Sequence, residues 1–277
     1  MGVVLLRVVK GNALFEVLSG RDKLPKVVQG YPQYPVGLHE ESGVLGTLGQ
    51  AQELQYRREV QLTQERAEAV MTLSTVQGFA LLLACGTILQ GWALAEQGQG
   101  EEGITQMRQG LVALRATGTE LLRPYFLALL AEAYGKVGQT EEGLSVLAEA
   151  LAVLDKTGER IYEAELYRLK GKLTLEQFGV QGPESGVTNP QRSAPGAQAE
   201  AKAEAYFQKA IEIARRQRAK SLELRAVMSL SRLWQQQGKQ QYAHQMLAEI
   251  YGWFTEGFDT ADLKEAKALL DELREDR

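Results

Sequence analysis

The sequence is poor in the residues from which reactive sites are built. Among 277 residues there are one cysteine and two histidines. A lone Cys85 excludes an internal disulfide and fits a reducing compartment such as the cytoplasm. His39 and His244 lie far apart, and no Cys/His or carboxylate group has metal-ligand spacing. Neither sign of charge dominates: 31 basic side chains face 35 acidic ones, a net of -4. That lacks the basic excess of a chain built mainly to hold nucleic acid. Long apolar runs are missing too. The longest clean one, "FALLLAC" at 79–85, falls far short of the roughly 20 residues that cross a bilayer. The start, "MGVVLLRVVKG", is interrupted by Arg7 and has no small-residue cleavage site, so it does not read as a signal peptide. Leu6 stands where a myristoylation motif wants Ser or Thr. A soluble, cytoplasmic protein is the expectation.

Catalytic signatures are also missing. There is no GxxxxGK[ST], no GxSxG, and no GxGxxG that opens a helix after a strand. "GQGEEG" at 98–103 joins two helices, and its glutamates would repel a phosphate. His244 in "QYAHQML" reads as a helix-surface or interhelical residue, and Cys85 as a small buried hydrophobe. The expectation is a chain without enzymatic activity, cofactor or metal.

What is present is repetition. "GWALAEQGQGEEGITQMRQGLVAL" from Gly91 to Leu114 returns as "AEAYGKVGQTEEGLSVLAEALAVL" from Ala131 to Leu154. Gly78, Gly118 and Gly158 are spaced at intervals of forty, as are Gly98 and Gly138, and Gly103 and Gly143. A fixed period of this size is the mark of a stacked-repeat architecture. Inside each unit the apolar spacing is helical: Leu127, Leu130, Ala131 and Tyr134, then Leu144, Leu147, Ala148 and Leu151. Two helices are expected around a turn at Gly138-Gln139-Thr140. Gly138 would close the first with positive φ, and Thr140 would cap the second above Glu141 and Glu142.

This pattern resembles the tetratricopeptide repeat (TPR). Leu127, Leu130, Ala131 and Tyr134 match its first-helix positions; Gly143, Leu147 and Ala150 match its second. "AEAYFQKA" supplies Ala203, Phe207 and Ala210. A later unit supplies Val227, Leu230, Ser231, Trp234, Ala243, Leu247 and Ile250. The unit at Ala84 departs from the pattern, with Thr87, Gln90 and Gly91 where Trp, Leu and Gly are commonest. The resemblance implies an all-α fold, a TPR-like superhelix in which antiparallel helix pairs stack side by side and share their apolar flanks. Trp92, Tyr134 and Trp234 are then most simply core.

Helix pairs are expected at 46–78, 79–118, 119–158, 159–218 and 219–257. "GVQGPESGVTNPQRSAPGAQ" at 179–198 is a surface excursion within the fourth. A capping helix closes the array at 259–277, with Asp259 as its cap, Phe258 and Leu263 as a staple, and Leu263, Ala266, Leu270 and Leu273 as its stripe. Residues 1–45 stand apart from this scheme. "GVVLLRVV" suits a short strand, and "QGYPQYPVG" a loop. This odd beginning also fits a truncated piece of a longer protein.

In helix-pair arrays the first helices line a concave surface. Carrying those positions over gives a candidate protein-binding face of Trp92, Tyr125, Glu132, Lys136, Glu165, Arg168, Lys172, Arg225 and Arg232. Its second half is expected to be basic, suited to a protein or peptide of acidic or C-terminal carboxylate character. A second reading uses "ARRQRAK" at 214–220 to meet nucleic acid. Against it, cations in the last turn of a helix complement its dipole, and the stretch from Glu249 to Arg277 is acidic.

Several phrases are more specific: "GWALAEQGQGEEGI", "RPYFLALLAEAYGKVGQ", "KTGERIYEAELYRLKG", "SLELRAVMSLSRLWQQQGK" and "YGWFTEGFDTADLKEAKALLDEL". Over residues 46–275 they resemble the C-terminal array of bacterial signalling proteins in which a class III adenylate/guanylate cyclase domain, or a kinase domain, precedes an ATPase. The resemblance implies a sensing or scaffolding role, with nucleotide chemistry located upstream. An inactive fragment of such a protein is the remaining alternative.

Overall fold

The structure, a computed structural model, describes residues 2–9, 12–19, 36–120, 122–179 and 194–275. The chain divides into two compact units, Met1–Phe126 and Leu127–Arg277.

A turn every twenty residues organises both. Backbone φ is positive at Gly78, Gly98, Gly118, Gly138 and Gly158, between 73° and 89°. The same step falls on Arg58, Arg218 and Gly238, at 59°, 57° and 74°. After several of these residues the next N–H reaches back to the carbonyl five positions earlier. Gln139 N–H donates to Tyr134 O at 2.9 Å and Lys239 N–H to Trp234 O at 2.8 Å, the Schellman closure of a helix end. The following helix starts at once, which corrects one expectation. Gln139, with no side-chain cap bond, is the N-cap, and Thr140 is already the first helical residue.

In the first unit, β1 (Gly2–Val9) and β2 (Asn12–Ser19) pair antiparallel, with Gly2 opposite Ser19 and Val9 opposite Asn12. β1 is the short strand expected of "GVVLLRVV", and β2 adds a partner beyond that expectation. Four helices follow: α1 (Val36–Tyr56), α2 (Val60–Gln77), α3 (Ala80–Glu96) and α4 (Gly100–Ala116), then the first turn of α5 (Arg123–Lys136). α1 runs through position 46, where the first pair was expected to start. α1 packs on α2, α2 on α3 and α3 on α4, and α1 also touches α3. The α3–α4 crossing is close because it is glycine on glycine. A Cβ on Gly91 would stand 2.7 Å from Gly103 O and 2.9 Å from Met107 N. Around this crossing Ile88, Leu89, Met107 and Leu114 are fully covered.

In the second unit α5 continues into α6 (Thr140–Thr157), α7 (Glu163–Gln177), α8 (Ala194–Gln217), α9 (Lys220–Gln236), α10 (Gln240–Tyr251) and α11 (Ala261–Glu275). Here too alternate helices touch, α7 with α9 and α9 with α11. Of the excursion expected at 179–198, residues 180–193 lie outside the described residues, and from Ala194 onward the chain is already helical in α8. Pro195 sits in its first turn, where a missing N–H has no consequence. Phe207 of α8 lies over Gly171 of α7, so close that a Cβ there would be 2.5 Å from the ring.

The predicted TPR positions are covered. Leu127, Leu130, Ala131 and Tyr134 are at most 5% exposed, and Leu147, Ala150, Ala203, Phe207 and Ala210 at most 1%. On α6, however, the buried stripe is Gly143, Leu147, Ala150 and Leu154. Ala148 is exposed, and Leu144 and Leu151 are half-buried. An outer helix covers one narrow side, and spacing alone does not choose between two adjacent stripes. Trp234 is also only part-buried, its indole N–H donating to Glu204 Oε1 at 3.0 Å.

α11 closes the array through Leu263, Ala266, Leu269, Leu270 and Leu273, all covered. Each leucine contributes about 1.5–3 kcal/mol of burial, so the helix is firmly seated. Thr260 O accepts the Lys264 N–H, which makes Thr260 rather than Asp259 the N-cap position. Phe258 remains 47% exposed and lies beside the Tyr251 ring.

Candidate binding surface

The period places equivalent residues on successive first helices. Trp92 on α3, Glu132 on α5 and Lys172 on α7 are forty apart; Arg232 on α9 is sixty further, because about twenty more residues of sequence separate α7 from α9. Tyr125, Glu165 and Arg225 form a second such line.

Within the first unit the two candidates are buried. Trp92 is 2% exposed, and its indole N–H meets no acceptor among the described residues. Tyr125 donates its hydroxyl to Gln55 Oε1 at 2.6 Å, with its ring stacked on Tyr56 at 5.8 Å. Gln55 lies in the first expected helix pair, but a polar residue at one position of an amphipathic helix carries no sign of burial, so nothing in the sequence marks it. Covered as they are, Trp92 and Tyr125 shape the unit rather than meet solvent.

The other seven candidates belong to the second unit, and several converge. Arg168 donates through Nε and Nη2 to both oxygens of Glu165, at 2.9 and 2.6 Å. Arg225 donates through Nε to Asp262 Oδ2 at 2.7 Å. Burial lowers the proton affinity of both guanidiniums, but the carboxylates reverse this and each pKa ends above its ordinary value. For Arg168 the carboxylates are Glu165, then Glu132; for Arg225 they are Asp262, Glu165 and Glu132. Glu132, Glu165, Arg168, Arg225 and Asp262, from α5, α7, α9 and α11, thus form one electrostatic group. Nearby in register, Lys172 pairs with Glu176 at 3.8 Å and Arg232 with Glu265 at 2.6 Å. Lys136 is exposed at the end of α5.

The expectation of a basic second half is corrected here. The seven charged candidates hold five cations and two carboxylates, but Glu176, Asp262 and Glu265 are ion-paired to them and bring the sum to zero. Asp262 and Glu265 were missed because α11 was read only as a cap. Glu265 lies forty residues after Arg225, so the period contained its signal.

The basic segment at 214–220 is likewise engaged. Glu223, 3% exposed, receives Arg215 Nε at 2.7 Å and Lys220 Nζ at 2.7 Å. His244 Nε2 accepts from Arg274 Nε at 3.2 Å on the surface. The side chain of His39 lies outside the described residues. Among the described residues no group of three or more His, Cys, Asp or Glu is placed to hold a metal ion, and no helix is long and apolar enough to cross a membrane.

No family model matches the chain, and no curated protein matches its sequence significantly. Solved structures do. RapI in its apo form shares 12% identity over 90% of this chain and 87% of its own, with a TM-score of 0.52. BtubC (BKLC) from P. vanneervenii shares 14% over 80% and 89%, with a TM-score of 0.50. A Podosopora anserina kinesin light chain described by nearly identical TPR-like repeats shares 18% over 77% and 95%, at 0.48. The fold is TPR-like. At these identities the likeness concerns the arrangement of helices alone.

Proposed function

We propose that this chain is a non-catalytic scaffold or sensor module that binds a protein or peptide on the first helices of its second unit. One observation carries this reading. Two ion pairs on three helices, Arg168–Glu165 and Arg225–Asp262, are only 13–15% exposed, and the charge of Glu132 on α5 acts on both arginines. Half-buried, pre-oriented arginines are suited to bidentate recognition of carboxylates. Repeats that expose a line of equivalent positions are suited to an extended ligand. The partner is a peptide with acidic groups, and the module works in the cytoplasm within a bacterial signalling system of the cyclase–ATPase type. The sequence phrases quoted above support that last assignment.

Crosslinking and pull-down with the intact chain test the reading. Capture of a partner is expected to weaken at least about tenfold in Arg168→Ala and in Arg232→Ala, since each loses a charge-assisted contact. Undiminished capture by both variants removes this surface as the binding site.

A further inference from the structure

The two arginines of α9 are matched to two carboxylates of α11. Arg225 meets Asp262 with both side chains 14% exposed. Arg232 meets Glu265 with the side chains 31% and 36% exposed. α11 does not depend on these contacts for its place, because five covered apolar residues seat it. It is therefore no lid that opens to admit a ligand. Its carboxylates stand permanently beside the arginines at an effective concentration that a free peptide carboxylate must overcome. Glu132 and Glu165 add negative charge to the same group. A purely acidic ligand gains the arginines only by meeting four carboxylates at close range. A purely basic ligand meets Arg168, Arg225 and Arg232.

We infer that Asp262 and Glu265 determine the specificity of this surface, discriminating against uniformly acidic peptides and selecting a segment in which acidic and basic side chains alternate. The inference rests on the reading that this face binds a peptide. Such a segment offers carboxylates to the arginines and ammonium groups to Glu132, Asp262 and Glu265, so no charge is left facing its like. Selection by repulsion as well as attraction is a general route to specificity.

Fluorescence anisotropy with the full chain tests this, using three labelled twelve-residue probes: alternating Glu and Lys, Glu with Ser, and Lys with Ser. The wild type is expected to bind the alternating probe about tenfold more tightly than either of the others. In Asp262→Asn/Glu265→Gln the order is expected to shift, with the Glu probe gaining about tenfold or more. Glu265→Gln alone, at the more exposed pair, is expected to move the same way by a smaller factor and guards against misfolding of the double variant. Equal binding of the alternating and Glu probes by the wild type overturns the inference, as does an unchanged order in both variants. If partner capture still fails in Arg168→Ala and Arg232→Ala while the probe order is unchanged, the specificity inference falls and the binding reading stands. If no probe binds and capture ignores both arginines, both fall.

Discussion

At Gly138 the backbone turns with a φ of 77°, and at Arg218 the equivalent turn is made at 57°. An L side chain in this region strains against its own backbone by roughly 1–2 kcal/mol, a strain glycine does not feel. Gly138→Ala is therefore expected to lower stability by about 1 kcal/mol. Arg218→Gly, at an exposed position, is expected to raise it by about 0.5 kcal/mol once the extra chain entropy of glycine is counted. Chemical denaturation of the two variants checks both signs. Glu159, beside the turn at Gly158, adds a pH term. Burial pushes its carboxyl from 4.5 to about 7, and its Oε2 is covered without a hydrogen-bond partner among the described residues. The folded chain holds a proton that the unfolded chain releases near 4.5. The contribution is complete below that pH and is lost as pH rises through about 7. Thermal melts of wild type and Glu159→Gln should coincide near pH 4 and separate by pH 8, with the variant the more stable; parallel curves contradict this. Burial likewise raises the Cys85 thiol to about 12, which leaves it a protonated hydrophobe.

Helices here meet at distances set by what they omit. The α3–α4 crossing leaves no room at Gly91, where a methyl group would press on the backbone of α4 rather than on a movable side-chain end. Gly91→Ala is expected to cost about 1–3 kcal/mol, the usual penalty of overpacking. The same change at Gly43, with nothing within 4 Å of its Cβ position, is expected to be neutral or stabilising, because alanine is the better helix former. Urea titrations of the pair separate tight packing from helix propensity. The period made Gly103 and Gly143 visible in the sequence as repeated letters, and Gly91 stands where the TPR pattern itself most often has glycine. The close approach of α3 and α4 gives the physical reason for that letter.

Over the whole chain, cations and carboxylates nearly cancel, and many are paired within the fold. Arg215 and Lys220, two of the four cations of the basic segment, share Glu223. A nucleic-acid ligand would have to break those pairs and would lose affinity steeply with salt. Binding of a duplex DNA probe at about 150 mM salt, the physiological ionic strength, is expected to be undetectable by anisotropy; tight binding with a steep salt slope would restore that reading.

The local part of the fold was legible because its causes are local. Left-handed turns at twenty-residue steps, a three-and-four apolar rhythm and a closing helix with one leucine stripe each depend on neighbours within a turn or two of chain. Thr140 and Asp259 were misplaced as caps because a one-residue turn shifts the helix start by a position that composition does not reveal. The charge of the candidate face was a different matter. Arg225 finds Asp262 across 37 residues and Arg232 finds Glu265 across 33. Those pairings exist because α9 and α11 pack side by side with a particular rotation about their axes. The sequence by itself determined that helices would pair and where they would turn. Only the packing of one helix on another decided which charges cancel.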